Sequence, residues 1–252
     1  MVNEFVDAVQ FLTRLPVEVD DRRPSVGRAM PWFPVVGGLV GAIVGGVAVL
    51  MWFAVPPFVA AAVAIGIGLL VTGAFHEDGL GDVADAFGGG STVDRRLQIL
   101  KDPRQGTYGV CAICMSLLVR IACVASMPGP AAMFAALVAA GTLGRAAALV
   151  LAATQPPASY DGLGASASGE LSTHAAWISV VASVVIGAVA VGWWIGPLVL
   201  AAGLAILVVG GLAESKINGV NGDVFGAVEV VTECLCLVVA AGLATHSRLW
   251  WP

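Results

Sequence analysis

The sequence predicts an all-α protein, a polytopic integral membrane helical bundle of about seven transmembrane helices behind an N-terminal amphipathic helix. Three observations carry this. Of 252 residues, 58% are hydrophobic and only 12% charged, with a mean hydropathy of +0.92; soluble domains run nearer 45–50% apolar and about 25% charged. The apolar residues gather into runs of roughly the 17–25 that a helix needs to cross a bilayer. The loop Lys and Arg residues concentrate in alternate loops, as cytoplasmic segments retain basic residues. No internal repeat divides the chain, so residues 1–252 read as a single membrane domain.

Taken in order, Val2, Phe5, Val6, Val9 and Leu12 recur at helical spacing, which predicts an amphipathic helix ending near Pro16. It suits either the membrane interface or a position against the bundle. The same stretch holds two acids and no long apolar core, so it does not read as a cleavable signal peptide. The first span is Phe33–Val55, closed by Pro56-Pro57, and the second is Phe58–Phe75. A polar segment from His76 to Thr107 follows, in which Thr92–Lys101 alternates like a surface helix. The third span is Tyr108–Met127, carrying Arg120, and the fourth is Pro130–Ala153, carrying Arg145. A loop of Gly, Ser and Pro runs from Thr154 to Ser172. The fifth span is Ala175–Trp194, then a turn at Gly196-Pro197, then a short sixth span, Leu198–Ala213. A second polar loop, Glu214–Asp223, leads to the seventh span, Val224–Thr245, and a tail with paired Trp residues suited to a membrane interface.

With a cytoplasmic N-terminus, every loop Lys and Arg except Arg248 falls inside, and both acidic loops face the cytoplasm of a cell inner membrane. The net charge of −5 leaves no basic field for nucleic acid. Five cysteines lie in apolar runs; Cys111 and Cys114 have the spacing of a redox or zinc pair but no completing partners, and read as small packing residues.

The stretch His76–Gly90, H-E-D-G-L-G-D-V-A-D-A-F-G-G-G, concentrates charge in a chain that has little. Asp78, Asp82 and Asp85 stand at i, i+4 and i+7, on one face of a helix. Carboxylates aligned this way repel unless a cation sits among them, and a hard divalent ion such as Mg2+ takes oxygen ligands. The alternative is a solvated acidic loop, which needs no such alignment. Glu229 and Glu233 share a face of the seventh span near its cytoplasmic end. They read as a second acidic wall of the metal site, or as a structural pair matched to Arg145 or Arg120. Lys101, Arg104, Arg145 and Arg28 are candidate phosphate clamps; Arg120, in the outer half of its span, has no assigned role. His76 is a candidate base or ligand, whereas His174 and His246 read as structural. Carboxylates with Arg and Lys at one face suit metal-dependent phosphoryl transfer. A transporter would place its charges nearer the midplane, in two related halves.

The chain also resembles a known family along nearly its whole length, cobalamin-5′-phosphate synthase, or adenosylcobinamide-GDP ribazoletransferase. The resemblance rests on F-L-T-R-L-P-V (Phe11–Val17), Arg28 with W-F-P-V-V-G-G (Trp32–Gly38), and G-A-F-H-E-D-G-L-G-D-V-A-D-A-F (Gly73–Phe87). It continues through D-P-R-Q-G-T-Y-G (Asp102–Gly109), G-R-A (Gly144–Ala146), G-L-G (Gly162–Gly164), and N-G-D-V-F-G-A-V-E (Asn221–Glu229) with Glu233. Gly81, Ala86 and Asn221 depart from the usual pattern; the carboxylates are all kept. The resemblance implies a Mg2+-dependent transfer in which a hydroxyl of α-ribazole, or of its 5′-phosphate, attacks adenosylcobinamide-GDP and GMP leaves. With the positions marked by the resemblance and the roles taken from chemistry and spacing, Asp78, Asp82, Asp85, Asp223, Glu229 and Glu233 are expected to hold metal. Arg28, Lys101, Arg104, Arg145 and Asn221 are expected to hold substrate, and Asp85 or His76 to take the hydroxyl proton. The implied partners are the corrinoid nucleotide, the ribazole and the lipid bilayer; a homo-oligomer and a complex with other enzymes of the cobalamin pathway stay open. A related membrane phosphotransferase of the CDP-alcohol type is the neighbouring alternative.

Overall fold

The computed structural model describes residues 2–17, 25–158, 169–247 and 249. The motif at 162–164, the loop bases at 22, 23 and 248, and the paired tryptophans at 250 and 251 lie outside the described residues. The described elements are helical. They are α1 (Val2–Leu12), α2 (Val26–Ala29), α3 (Phe33–Trp52), α4 (Pro57–Thr72), α5 (Phe75–Gly89), α6 (Val93–Ile99), α7 (Thr107–Ala125), α8 (Pro130–Thr154), α9 (Thr173–Val191), α10 (Ile195–Ile217) and α11 (Gly222–Ala244). Among the described residues, five stretches are long and apolar enough to cross a membrane: Val26–Trp52, Thr107–Ala125, Pro130–Thr154, Thr173–Ile217 and Gly222–Ala244. A sixth arises if α4 and α5, bent by 90° at their junction, are taken together.

The bundle is built around α8, which is buried along almost its whole length from Ala132 to Ala152. Its many alanines allow close approach. α3 takes advantage of this: a Cβ on Gly37 or Gly41 would collide with the carbonyl oxygen of Gly141 or Leu137. Large apolar side chains point outward instead, including Val181, Val185 and Val189 of α9, Leu200, Leu204 and Leu207 of α10, and Met115 and Leu118 of α7. Small residues inside and large ones outside is the arrangement expected where lipid, not water, covers the surface.

Two predicted boundaries are corrected. The turn between the fifth and sixth runs lies at Gly192, which takes φ +61°, and not at Gly196-Pro197. Pro197 sits in the first turn of α10, where a missing N–H costs no helical bond. Ile195 Cδ1 lies 2.6 Å from where a Cβ on Gly187 would stand. A straight helix rises about 12 Å over eight residues, so the chain must reverse there. At its other end α10 runs on to Ile217, through residues predicted as loop. Lys216 suits the negative end of the helix dipole, and Asn218, at φ +60°, ends it in the left-handed conformation.

The N-terminal helix lies against the bundle. Ala8, Val9 and Leu12 are buried, Phe5 meets Trp32 edge-on at 5.6 Å, and Phe11 stacks on Phe33 at 5.6 Å. Between α4 and α5, Gly73 and Ala74 both adopt left-handed conformations and turn the chain. α5 then runs antiparallel to α7, with Gly88 near Tyr108, Gly81 near Ile113, and Glu77 near Arg120. It runs antiparallel to the start of α11 as well, with His76 near Gly226 and Gly79 near Asp223.

Candidate active site

The acidic face of α5 is held by the loop that starts α7. Gln105 donates a 2.8 Å hydrogen bond to Asp82. Asp85 accepts the backbone N–H of Gly106 at 2.6 Å and that of Gly109 at 2.9 Å. These are donors that an α-helix leaves unpaired at its N-terminus, and a carboxylate there also meets the positive end of the dipole. The two sequence blocks 73–87 and 102–109 are therefore two sides of one structural joint.

On its other side α5 meets the N-terminus of α11. A Cβ on Gly79 would stand 2.8 Å from the carbonyl oxygen of Asp223, so the helices touch backbone to backbone. Asn221 caps α11 by accepting the N–H of Val224 at 3.0 Å, and its amide donates to Asp223 at 2.9 Å. The backbone contact at Gly79 brings Asp78, next to it, and Asp223 to one cavity; one turn along α5, burial and then the charges of Asp78 and Asp223 push the Asp82 carboxyl up to about 6. A cavity of about 360 Å3 opens here. Asp78, Asp223, Asn221, Lys101, His76, Arg145 and Glu229 are among the residues that line it.

Behind it lies a buried ion network. Arg120 of α7 donates to Glu77 of α5 at 2.7 Å and to Glu233 of α11 at 3.2 Å. Arg145 of α8 contacts both Glu229 and Glu233. His76 Nδ1 stands 3.8 Å from Glu229 Oε2. A second cavity of about 40 Å3 is lined by His76, Glu77, Arg120, Arg145, Glu229 and Glu233. Glu77 Oε2 and Arg145 Nε have no hydrogen-bond partner. A cavity of this size and polarity has room for ordered water, which would satisfy them. Arg120, which had no assigned role in the sequence, thus clamps α5, α7 and α11 together. Its signal was present, because an intramembrane Arg requires a partner; which carboxylate it meets is a matter of packing. Gln105 and Glu77 were likewise missed.

The remaining bases differ in their placement. Lys101 is exposed and lines the larger cavity. Arg28 is exposed on α2 between Val26 and Met30, both cavity-lining. Arg104 is exposed and makes a bidentate pair with Asp102 at 2.9 and 2.7 Å. Hydrogen bonds from Arg104 hold the Asp102 carboxyl down at about 2.

Among the described residues, no three His, Cys, Asp or Glu side chains already stand together as a metal site. The acids do sort into two sets. Glu77, Glu229 and Glu233 are matched by Arg120 and Arg145, while Asp78, Asp82 and Asp223 form no ion pair among the described residues. Converging oxygen donors without a protein cation have the chemistry that a hard divalent ion takes. Mg2+ typically uses one or two carboxylates and completes its shell with water and substrate phosphate.

A family model described as cobalamin-5-phosphate synthase matches residues 4–241. Similar known proteins include the adenosylcobinamide-GDP ribazoletransferase of Bradyrhizobium diazoefficiens, 37% identical over 93% of this chain and 91% of that one. The ribazoletransferase of Mesorhizobium japonicum is 38% identical over 92% and 90%, and that of Chlorobaculum tepidum 35% over 96% and 96%. No solved structure matches the chain. With the match running from residue 4 to 241 and both carboxylate-bearing helices inside it, the chain belongs to the cobalamin-5-phosphate synthase family.

Proposed function

We propose that the protein is a membrane-bound, Mg2+-dependent adenosylcobinamide-GDP ribazoletransferase. It joins adenosylcobinamide-GDP to α-ribazole, or to its 5′-phosphate, in the nucleotide-loop assembly of cobalamin biosynthesis. The supporting observation is the cavity in which Asp78, Asp223, Asn221, Lys101 and Arg145 meet, in a chain of this family. A ribazole hydroxyl attacks the phosphorus attached to cobinamide. A new P–O bond forms, the P–O bond to the guanylate breaks, and GMP and a proton leave.

Asp78, Asp82 and Asp223 are the residues that would hold Mg2+. When bound, it supplies charge neutralisation to the pyrophosphate and the departing GMP. Asp85, Glu229 and Glu233, also expected from the sequence to hold metal, are engaged by the protein instead: Asp85 holds the start of α7, and the two glutamates hold Arg145. Lys101, Arg145 and Asn221 face the phosphates, with Arg28 at the rim; Arg104 must leave Asp102 to reach them. His76 is better placed than Asp85 to take the hydroxyl proton, because it lines the cavity while both Asp85 oxygens accept backbone N–H groups. We further propose that α3, α4, α7, α8, α9, α10 and α11 each cross the cell inner membrane, with the site facing the cytoplasm. The reversal at Gly192 and the positions of the loop bases support that topology.

The test is GMP release by purified protein in lipid nanodiscs, given adenosylcobinamide-GDP, α-ribazole and Mg2+. Asp82→Asn is expected to lower it more than about tenfold, and a chelator to abolish it. Release unchanged by the substitution and by the chelator would count against the metal assignment, and none from wild type against the reaction.

A further inference from the structure

The larger cavity has a second character that phosphate chemistry does not use. Besides Asp78 and Asp223 it is lined by Phe11 and Leu12 of α1, Met30, Phe33 and Phe75. Phe11 stacks nearly parallel on Phe33, with 11° between the rings, and Phe75 meets Phe11 edge-on at 5.4 Å and 79°. The three rings form a corner. Met30 and Leu12 beside it are 2% exposed, whereas Phe75 keeps 43% of its surface open. A half-open Phe beside a cavity is an unfilled stacking surface.

We propose that this corner receives the flat, apolar base of the accepting nucleoside and selects it by shape and stacking; the inference rests on the transferase reading above. Three observations support it. At about 360 Å3 the cavity lies at the small end of ligand pockets, so it encloses one nucleoside-sized molecule and leaves a macrocycle outside. Phe75 and Asp78 are three residues apart on α5 and share a face, their Cβ atoms roughly 5–6 Å apart. A base stacked at Phe75 therefore holds its attached sugar beside the carboxylates. Finally, the corner residues Phe11, Leu12, Met30, Phe33 and Phe75 carry no side-chain donor or acceptor, and the polar ring that touches them, His76, meets Phe75 edge-on at 5.3 Å, so exocyclic amines of a purine turned toward Phe11 and Phe33 would be buried without partners. A site without polar contacts rejects polar bases by that cost and tolerates apolar ones of similar outline.

Phe75→Leu and Phe11→Leu keep apolar volume and remove a ring. In nanodiscs with Mg2+, each is expected to raise KM for α-ribazole about tenfold and to leave KM for adenosylcobinamide-GDP within about twofold. The preference for α-ribazole over an α-linked adenine nucleoside is expected to narrow. The unchanged corrinoid KM doubles as evidence that the variants are folded. A rise in the corrinoid KM instead, or no change in either KM in both variants, would overturn the proposal. Equilibrium dialysis of α-ribazole against the full chain separates this from the transferase reading. Binding weakened by Phe75→Leu supports the ring site even if wild type releases no GMP, and binding equal in both proteins rejects it even if wild type is active.

Discussion

The carboxylate of Asp85 fills the space that a Cβ on Gly109 would need, and accepts that residue's N–H at 2.9 Å. A methyl at position 109 would lie 2.5 Å from Asp85 Oδ2 and 2.5 Å from Gln105 Oε1. Gly109→Ala is therefore expected to displace both side chains and, through Gln105, Asp82. Thermal unfolding followed by tryptophan fluorescence should show a loss near the ~1 kcal/mol of a helix cap, with GMP release falling at least tenfold. Wild-type unfolding and turnover in this variant would show that the joint does not support the site.

Arg120 is buried at 5% exposure between Glu77 and Glu233. Removing one partner of a buried ion pair typically costs about 3–5 kcal/mol, because the other charge is stranded. Arg120→Met is expected to show that loss as poor yield and early unfolding. Arg120→Met combined with Glu77→Gln should recover part of it, since fewer buried charges then lack a partner. A single substitution as stable as wild type would mean that water, not Arg120, satisfies the glutamates.

Asp78, Asp82 and Asp223, which form no ion pair among the described residues, lead to a test that does not need turnover. Burial and the charges of Asp78, Asp223 and Asp85 raise the Asp82 carboxyl to about 6. Without divalent cation, Asp82→Asn relieves like-charge repulsion and is expected to raise the unfolding temperature by a few degrees, roughly the effect of 1 kcal/mol. With Mg2+ present, wild type should gain stability and the variant should gain less. Asp223→Asn should behave alike, although the two residues are far apart in the chain. Equal Mg2+ stabilisation of all three proteins would place the ion elsewhere.

Topology is checked by labelling single cysteines in a background without the five native ones. Ser91→Cys, in the exposed turn before α6, should react with an impermeant thiol reagent only from the cytoplasmic side. Gly129→Cys, before α8, has extended backbone that any residue adopts (φ 179°), and should react only from outside. The reverse pattern would invert the orientation and move the cavity to the other face.

Much of the architecture was legible because membrane helices write themselves as long apolar runs. The helices α3, α4, α7, α8, α9 and α11 begin and end close to the predicted runs. The acidic helix was legible for a related reason: Asp78, Asp82 and Asp85 align only at the helical period. The boundary between α9 and α10 was not legible, because its local signal is ambiguous. Gly196-Pro197 looks like a turn, yet a proline in the first helical turn costs nothing, and the left-handed residue that reverses the chain was Gly192.

The sequence by itself determined that these acids exist, that they share helix faces, and that they sit at span ends, because periodicity and hydropathy are properties of neighbours in the chain. Only the tertiary structure decided which charges neutralise one another. Glu229 and Glu233 went to Arg145, Glu77 to Arg120, and Asp85 to the backbone of α7, leaving Asp78, Asp82 and Asp223 without a protein cation among the described residues. Charge pairing depends on distances of a few ångströms between segments that the chain does not connect. The same is true of the aromatic corner, whose rings come from α1, α3 and α5 and meet only when α1 lies down on the bundle.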